Sequence, residues 1–270
     1  MTDVTLIEYE GMIRLLPFFT IFMVMALLEI KFPRRILDQN KALRWWGNLS
    51  LVAFNTMVVR VLFIALGTST IAMAWWVGSY GWGLLPLLHL PVVINLVLAV
   101  LLMDLVIYWQ HRLFHTMPWL WRLHRVHHAD RNLDVSSGLR FHPLEIVLSL
   151  LIKLSVIVLL GAPALAVVIF EVVLNGMAMF NHANVRLPLV IDIRLRYFLM
   201  TPDAHRIHHS TMAKEYNSNY GFNLSWWDRC FGSYRTQPEK GQLGMSIGLP
   251  DYQNAPTEKI IWMLRLPWKQ

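Results

Sequence analysis

Eight of the eleven histidines in this 270-residue chain fall in three tight groups. His111 and His115 stand in HRLFH. His124, His127 and His128 stand in HRVHH, and His205, His208 and His209 in HRIHH. Positions i, i+3 and i+4 of a helix share one face, so each group can deliver several imidazoles to one place. Neutral imidazole is the commonest metal ligand among side chains. A lone histidine is ordinarily a surface or core residue, but three groups with this spacing are not accounted for that way. A structural zinc site needs four ligands and usually draws on cysteine, whereas Cys230 is the one cysteine here. Eight imidazoles suffice for two ions. Imidazole suits Zn, Cu, Fe and Ni. Two clustered ions with all-nitrogen donors and no thiolate favour redox-active iron over zinc, with zinc a possible occupant of overexpressed protein.

Other residues are placed to assist. Asp104, Tyr108, His111 and His115 lie at i, i+4, i+7 and i+11 and share a helical face. An acid inside a span is costly and is usually paired or functional. Asp104 is therefore expected either to orient a ligand histidine from behind or to pair with Arg60, and both can hold at once. His182, in FNHAN, stands where an apolar segment ends and is expected to be a ninth ligand. His142, in FHP, is either a supporting group behind the ligands or a cap of the helix that Pro143 begins. His89 is excluded by the topology below.

The elements that must bring these groups together are apolar. The chain is 56% hydrophobic and 15% charged, with a mean hydropathy of +0.43, values that fit a membrane protein. The first span is predicted over about residues 12–30 and the second over 49–77, with Arg60 inside it. The third covers 92–109 and leads directly into HRLFH. Residues 145–180 are too long for one span and carry Gly161-Ala162-Pro163 near the middle, so a helical hairpin is predicted over 146–160 and 165–180. Its first leg is short and carries Lys153, which predicts a tilted or partly inserted helix. The fold expected is all-α: about four transmembrane helices plus a hairpin leg, with a polar, histidine-rich cap from about Asn181 onward, all in one domain over 1–270. Trp45, Trp46, Trp75, Trp76, Trp119, Trp121, Trp226 and Trp227 lie near span ends or cap edges and are expected in an interfacial belt.

The net charge of +7 fits cytoplasmic loops beside anionic lipid rather than nucleic acid. Lys31, Arg34, Arg35, Lys41 and Arg44 follow the first span, while Asp3, Glu8 and Glu10 precede it. The positive-inside rule then places the N-terminus outside and all three histidine groups on the cytoplasmic face. His89 falls on the opposite side. No cleavable signal peptide is evident. A zinc-dependent membrane hydrolase would call for a glutamate inside a box, as in HExxH, and neither HRVHH nor HRIHH holds one. A haem or metal carrier would place its histidines within spans, and these lie past span ends.

HRLFH, HRVHH, FHPLE, FNHANV, TPDAHRIHH, NSNYG and WWDRCFGSY stand in the order seen in the fatty acid hydroxylase / sterol desaturase superfamily. The chain resembles its bacterial members, lipid head-group hydroxylases among them, over roughly residues 104–235. The resemblance implies a membrane enzyme, integral to a bacterial inner membrane, with a cytosolic di-iron site. Such enzymes use O2 and reducing equivalents to hydroxylate lipid carbons or to desaturate them. The ligands it implies are His111, His115, His124, His127, His128, His205, His208 and His209, with His182 the nearest candidate to complete the set. Asp203 in TPDAHRIHH and Asn219 in NSNYG join Asp104, Tyr108 and His142 as supporting groups or extra ligands. Without room for a fused cytochrome b5 domain, electrons are expected from a separate ferredoxin- or cytochrome b5-like donor with its reductase. Arg122, Arg125 and Arg131 either dock that donor or simply reflect positive-inside charge. The substrate within the lipid class stays open, because similar boxes serve different substrates.

Overall fold

A computed structural model describes residues 3–269; Met1, Thr2 and Gln270 lie outside it. Fifteen α-helices are described. They are α1 Asp3–Glu8, α2 Glu10–Lys31, α3 Lys41–Leu66, α4 Thr70–Ser79, α5 Leu84–Leu87, α6 Val92–Thr116, α7 Pro118–His128 and α8 Pro143–Leu160. There follow α9 Ala164–His182, α10 Leu189–Leu195, α11 Pro202–His208, α12 Ala213–Tyr216, α13 Trp226–Cys230, α14 Gly241–Gly244 and α15 Ile260–Arg265. No strand occurs among the described residues; isolated bridges pair Pro33 with Val185, Leu199 with Leu224 and Ser210 with Ile247. The protein is an all-helical membrane protein, with five helical segments long and apolar enough to cross a bilayer. Phe19, Met23, Leu27, Met57, Val61 and Ile64 on α2 and α3 are exposed, as lipid-facing residues should be.

The second span departs from expectation. Helix α3 begins at Lys41, where the Asn40 side chain accepts from the Leu43 N–H at 3.1 Å. It stops at Gly67, whose φ of +65° terminates the helix. Ser69 then caps the separate helix α4. The apolar stretch 49–77 is thus two helices, and α4 packs back against α8 and α9. The break falls at Gly67-Thr68-Ser69-Thr70, a short glycine and hydroxyl run of the kind that marks a turn, which a hydropathy average over the long apolar stretch smooths away.

The hairpin is present as α8 and α9. Helix α8 is 18 residues long, about 27 Å against a hydrocarbon core of about 30 Å. Gly161 turns the chain with φ +62°, and a Cβ there would lie 2.1 Å from the Trp82 carbonyl oxygen. The hairpin tip therefore rests on the segment before α6, at the end of the bundle away from HRLFH.

The opposite end carries the cap. The loop after α2 runs beside the segment after α9, with Arg34 N–H bonded to Asn184 O at 2.9 Å and Arg186 N–H to Phe32 O at 2.8 Å. Arg44 on α3 is buried and pairs with Asp130 at 2.9 Å and Asp134 at 2.6 Å. The basic first loop and the histidine-bearing cap thus share one end of the molecule.

Candidate metal centre

All nine predicted imidazoles converge, and they sort into two sets. One ligand atom each of His111, His115, His124, His128 and His208 lie within 4.8 Å of one another, and the same holds for His127, His182, His205 and His209. The sorting crosses the sequence groups. The i, i+4 pairs His111/His115 and His124/His128 enter the first set, and His205/His209 the second. His127 and His208 cross over, so each HxxHH box serves both sets. His128 and His209, from different sets, stack at 4.4 Å between ring centroids, so the two sets are adjacent.

Local chemistry delivers these side chains. Pro118 and Pro202 sit at the first positions of α7 and α11, where a missing N–H costs nothing. The Thr201 hydroxyl accepts from Ala204 N–H at 3.4 Å, capping α11. His111 and His115 ride on the last turns of α6, and His182 ends α9.

The outer nitrogens fix the tautomers. Nδ1–H of His111 donates to Tyr220 O at 2.7 Å, that of His208 to Ser218 O at 2.7 Å, that of His182 to Ala178 O at 2.7 Å, and that of His127 to Arg140 O at 3.2 Å. A carbonyl only accepts, so each of these rings carries its proton on Nδ1 and leaves a lone pair on Nε2. Those Nε2 atoms face one another. His111 Nε2 is 3.0 Å from His208 Nε2 and 3.1 Å from His124 Nε2. His182 Nε2 is 3.0, 3.1 and 3.2 Å from Nε2 of His127, His205 and His209. Two lone pairs at such distances repel unless a cation lies between them. Adjacent ligands about 2.1 Å from one ion stand roughly 3.0 Å apart at a right angle, so the spacing fits metal-bound imidazoles. Burial also pushes His124 down to about 3 and holds His127, His128, His205, His208 and His209 well below the usual imidazole range. The rings of α7 and α11 are therefore neutral, the form that binds metal.

The residues expected to assist take other positions. Asp104 is bonded neither to a ligand imidazole nor to Arg60. Its carboxylate accepts from Trp227 Nε1 at 2.8 Å and from Leu224 N–H at 3.4 Å, tying α6 to the cap, while Arg60 is exposed. Asp203 pairs with Arg34 at 2.9 Å and with Arg206. Asn219 lies in the left-handed region, φ +53°. It bonds Ala204 O at 2.8 Å and the Arg235 backbone at 2.7 and 2.9 Å, which steadies α11. His142 caps α8, accepting from Leu144 N–H at 3.2 Å, and lies outside both sets. His89 is exposed at the N-terminal side of α6, and helical rise separates Val92 from His111 by about 28 Å. Tyr108 reaches the site through a relay: its hydroxyl lies 2.8 Å from Ser233 Oγ. Ser233 donates to Asp228 at 2.6 Å. Asp228 accepts from Tyr220 N–H at 2.8 Å, and Tyr220 O accepts the hydrogen bond from His111 Nδ1–H.

Two groups behind the ligands were not anticipated. Asp228 holds Tyr220 and Gly221 N–H, and burial raises its carboxyl to about 6. Glu145 Oε1 lies 2.7 Å from His124 Nδ1, a carboxylate–histidine pair of the kind that fixes a metal ligand. The available signal was the FHPLE run, which puts Glu145 in the first turn of α8. The tryptophans also divide. Trp46, Trp75, Trp76, Trp119 and Trp226 are exposed, but Trp45 donates to Asp134 at 3.1 Å and Trp121 stacks on Tyr216 at 5.7 Å. Arg125 and Arg131 donate to carbonyls of Leu266, Lys269 and Gln253, whereas Arg122 is exposed.

Gly138 touches the site through its lack of a side chain. A Cβ there would lie 2.2 Å from Ala178 O and 3.2 Å from His182 Nδ1, against the carbonyl that orients His182. Gly138→Ala is expected to lower stability by roughly 1–3 kcal/mol and to reduce metal retention. Thermal unfolding and metal analysis of the purified variant check both effects.

A cavity of about 390 Å³ opens beside His111 and His124 and runs between α2, α3, α6, α8 and α9. Val52, Val59, Ile107, Phe114, Ile146 and Leu174 form much of its wall. A largely apolar cavity ending at a cluster of buried imidazoles can hold a hydrocarbon chain against that cluster.

The chain matches the fatty acid hydroxylase family over residues 96–233 and belongs to that family. It is 31% identical over 160 residues to ornithine lipid hydroxylase OlsE of Rhizobium tropici, covering 58% of this chain and 46% of that protein. It is 32% identical over 150 residues to alkylglycerol monooxygenase of Danio rerio, covering 55% and 32%. Cholesterol 25-hydroxylase of Rattus norvegicus is 24% identical over 151 residues, covering 55% and 49%. The chain thus spans less than half the length of each of these three relatives. No solved structure matches it.

Proposed function

We propose that this protein is a membrane-bound, O2-dependent lipid hydroxylase that carries two irons, one in each histidine set. The observation that carries the reading is the pairing of two imidazole cages with an apolar cavity that ends at His111 and His124. The hydroxylase and monooxygenase relatives support the reaction class. Iron bound by these imidazoles would supply the activation of O2 and the oxidation of a C–H bond. The chain supplies position. His111, His115, His124, His128 and His208 hold one ion, and His127, His182, His205 and His209 the other. Glu145 keeps His124 in one tautomer, and the carbonyls of Tyr220, Ser218, Ala178 and Arg140 do the same for their rings. The cavity wall aligns a lipid chain and excludes water, which limits side reactions.

The histidine end lies in the cytoplasm by the positive-inside rule, since Lys31, Arg34, Arg35 and Lys41 share that end, and a bacterial inner membrane is the setting. Electrons come from a separate ferredoxin- or cytochrome b5-like donor with its reductase, which Arg122 helps to attract. The test is reconstitution with iron, a reductase system and ¹⁸O₂, followed by lipid mass spectrometry. One ¹⁸O atom in an alcohol product is expected. An alkene product would assign desaturation instead, and iron-replete protein giving no oxidised lipid from any membrane extract would sink the proposal.

A further inference from the structure

The far end of the cavity is charged, although it lies within the membrane-spanning helices. Glu171 on α9 pairs with Arg14 of α2 at 2.7 Å and with Lys153 of α8 at 2.9 Å, and accepts from the Thr70 hydroxyl of α4 at 3.3 Å. Arg14 also pairs with Glu10 at 2.7 Å. Arg14, Lys153 and Glu171 line the cavity; Glu10 does not.

Charges within a span are expensive and mark either structure or function. A staple joining four helices would serve structure alone if its polar atoms faced only one another. Here two of the three staple charges that line the cavity are cations with donors to spare. Arg14 Nε is buried without a hydrogen-bond partner. The Lys153 ammonium has three protons, and one reaches Glu171. The four side chains are already balanced, two cations against two carboxylates. An anionic ligand would add an uncompensated charge at low dielectric, which is costly, whereas an uncharged oxygen acceptor would not.

We propose that Arg14 and Lys153 form a recognition subsite for an uncharged oxygen of the substrate, a hydroxyl or an ester or amide carbonyl. The inference rests on reading the cavity as the substrate's. It also sets a ruler. Lys153 lies eight residues along α8 from Glu145, about 12 Å by helical rise, and Glu171 seven residues along α9 from Ala178, about 10 Å. The subsite therefore selects amphiphiles that carry such an oxygen on the order of 10 Å along the chain from the end that lies beside the histidines.

The test needs no turnover. Thermal unfolding of the full chain in detergent is followed with dodecane, 1-dodecanol or laurate at matched mole fraction. 1-Dodecanol is expected to raise the midpoint by about 2 °C or more over dodecane, and laurate by no more than dodecane. Lys153→Met should erase the preference for the alcohol and Lys153→Arg should keep it. Equal effects of dodecane and 1-dodecanol on the unaltered protein would overturn the proposal, as would a preference for laurate or one that survives in Lys153→Met. If Lys153→Met does not fold, the three probes on the unaltered protein decide alone. A protein that shows the preference yet hydroxylates nothing retains the subsite and loses the reaction; an active hydroxylase without the preference loses the subsite only.

Discussion

Replacing His182 with alanine is expected to remove one metal ion of two and to abolish turnover. His182 is the hub of the four-histidine set, since its Nε2 lies within 3.2 Å of Nε2 of His127, His205 and His209. Without it three imidazoles remain around that position, and all its pairwise contacts are lost at once. The five-histidine set takes its ligands from α6, α7 and α11 and keeps every one. Metal analysis should therefore fall from two ions per chain to about one, rather than to none. His128→Ala and His208→Ala should likewise be inactive through loss in the other set. His89→Ala, in the loop before α6, should match the unaltered protein in both metal and rate. Two ions retained in His182→Ala would remove His182 from the ligand set, and equal loss in His89→Ala would overturn the topology.

Glu145→Gln is expected to lower turnover or metal affinity by roughly 10–100-fold, the usual cost of removing a partner behind a metal ligand. Glu145 Oε1 holds His124 Nδ1 at 2.7 Å, and His124 Nε2 stands 3.1 Å from His111 Nε2. Losing the carboxylate charge weakens the bond that fixes the ring and makes its nitrogen a poorer donor to metal. The fold should survive, because glutamine is nearly isosteric and keeps an acceptor oxygen. Circular dichroism, metal content and initial rate on one preparation separate these effects. An unchanged rate with full metal would reduce Glu145 to a helix-start residue. Asp104 makes the contrast: it was the acid that sequence spacing favoured, yet its carboxylate bonds Trp227 and the backbone at Leu224.

That contrast shows where sequence reading succeeds and where it stops. Periodicity placed Asp104 and His111 on one face correctly, but a helix face does not say what packs against it. Trp227, 123 residues later, fills that position. Helix spacing does not single out Glu145, because its partner lies 21 residues away on another helix. The break at Gly67 escapes a hydropathy window for a different reason: its signal, Gly67-Thr68-Ser69-Thr70, is only four residues long and is averaged into the apolar helices on either side.

The sequence by itself determined that eight histidines in three boxes could be gathered at one end of an apolar helical bundle. Box spacing, hydropathy and charge asymmetry are local quantities, and they sufficed for that. It also brought His182 into view as a ninth member from its place at a span end. Only the tertiary structure decided how the nine divide. Helical spacing alone would assign each HxxHH box to one place, yet His127 and His208 cross to the set opposite their neighbours. The division depends on how α7 and α11 meet across the ends of α6 and α9, and on carbonyls such as Tyr220 O and Ala178 O that turn each ring. Those are contacts between segments far apart in the chain, and their geometry is set by packing rather than by the order of the residues.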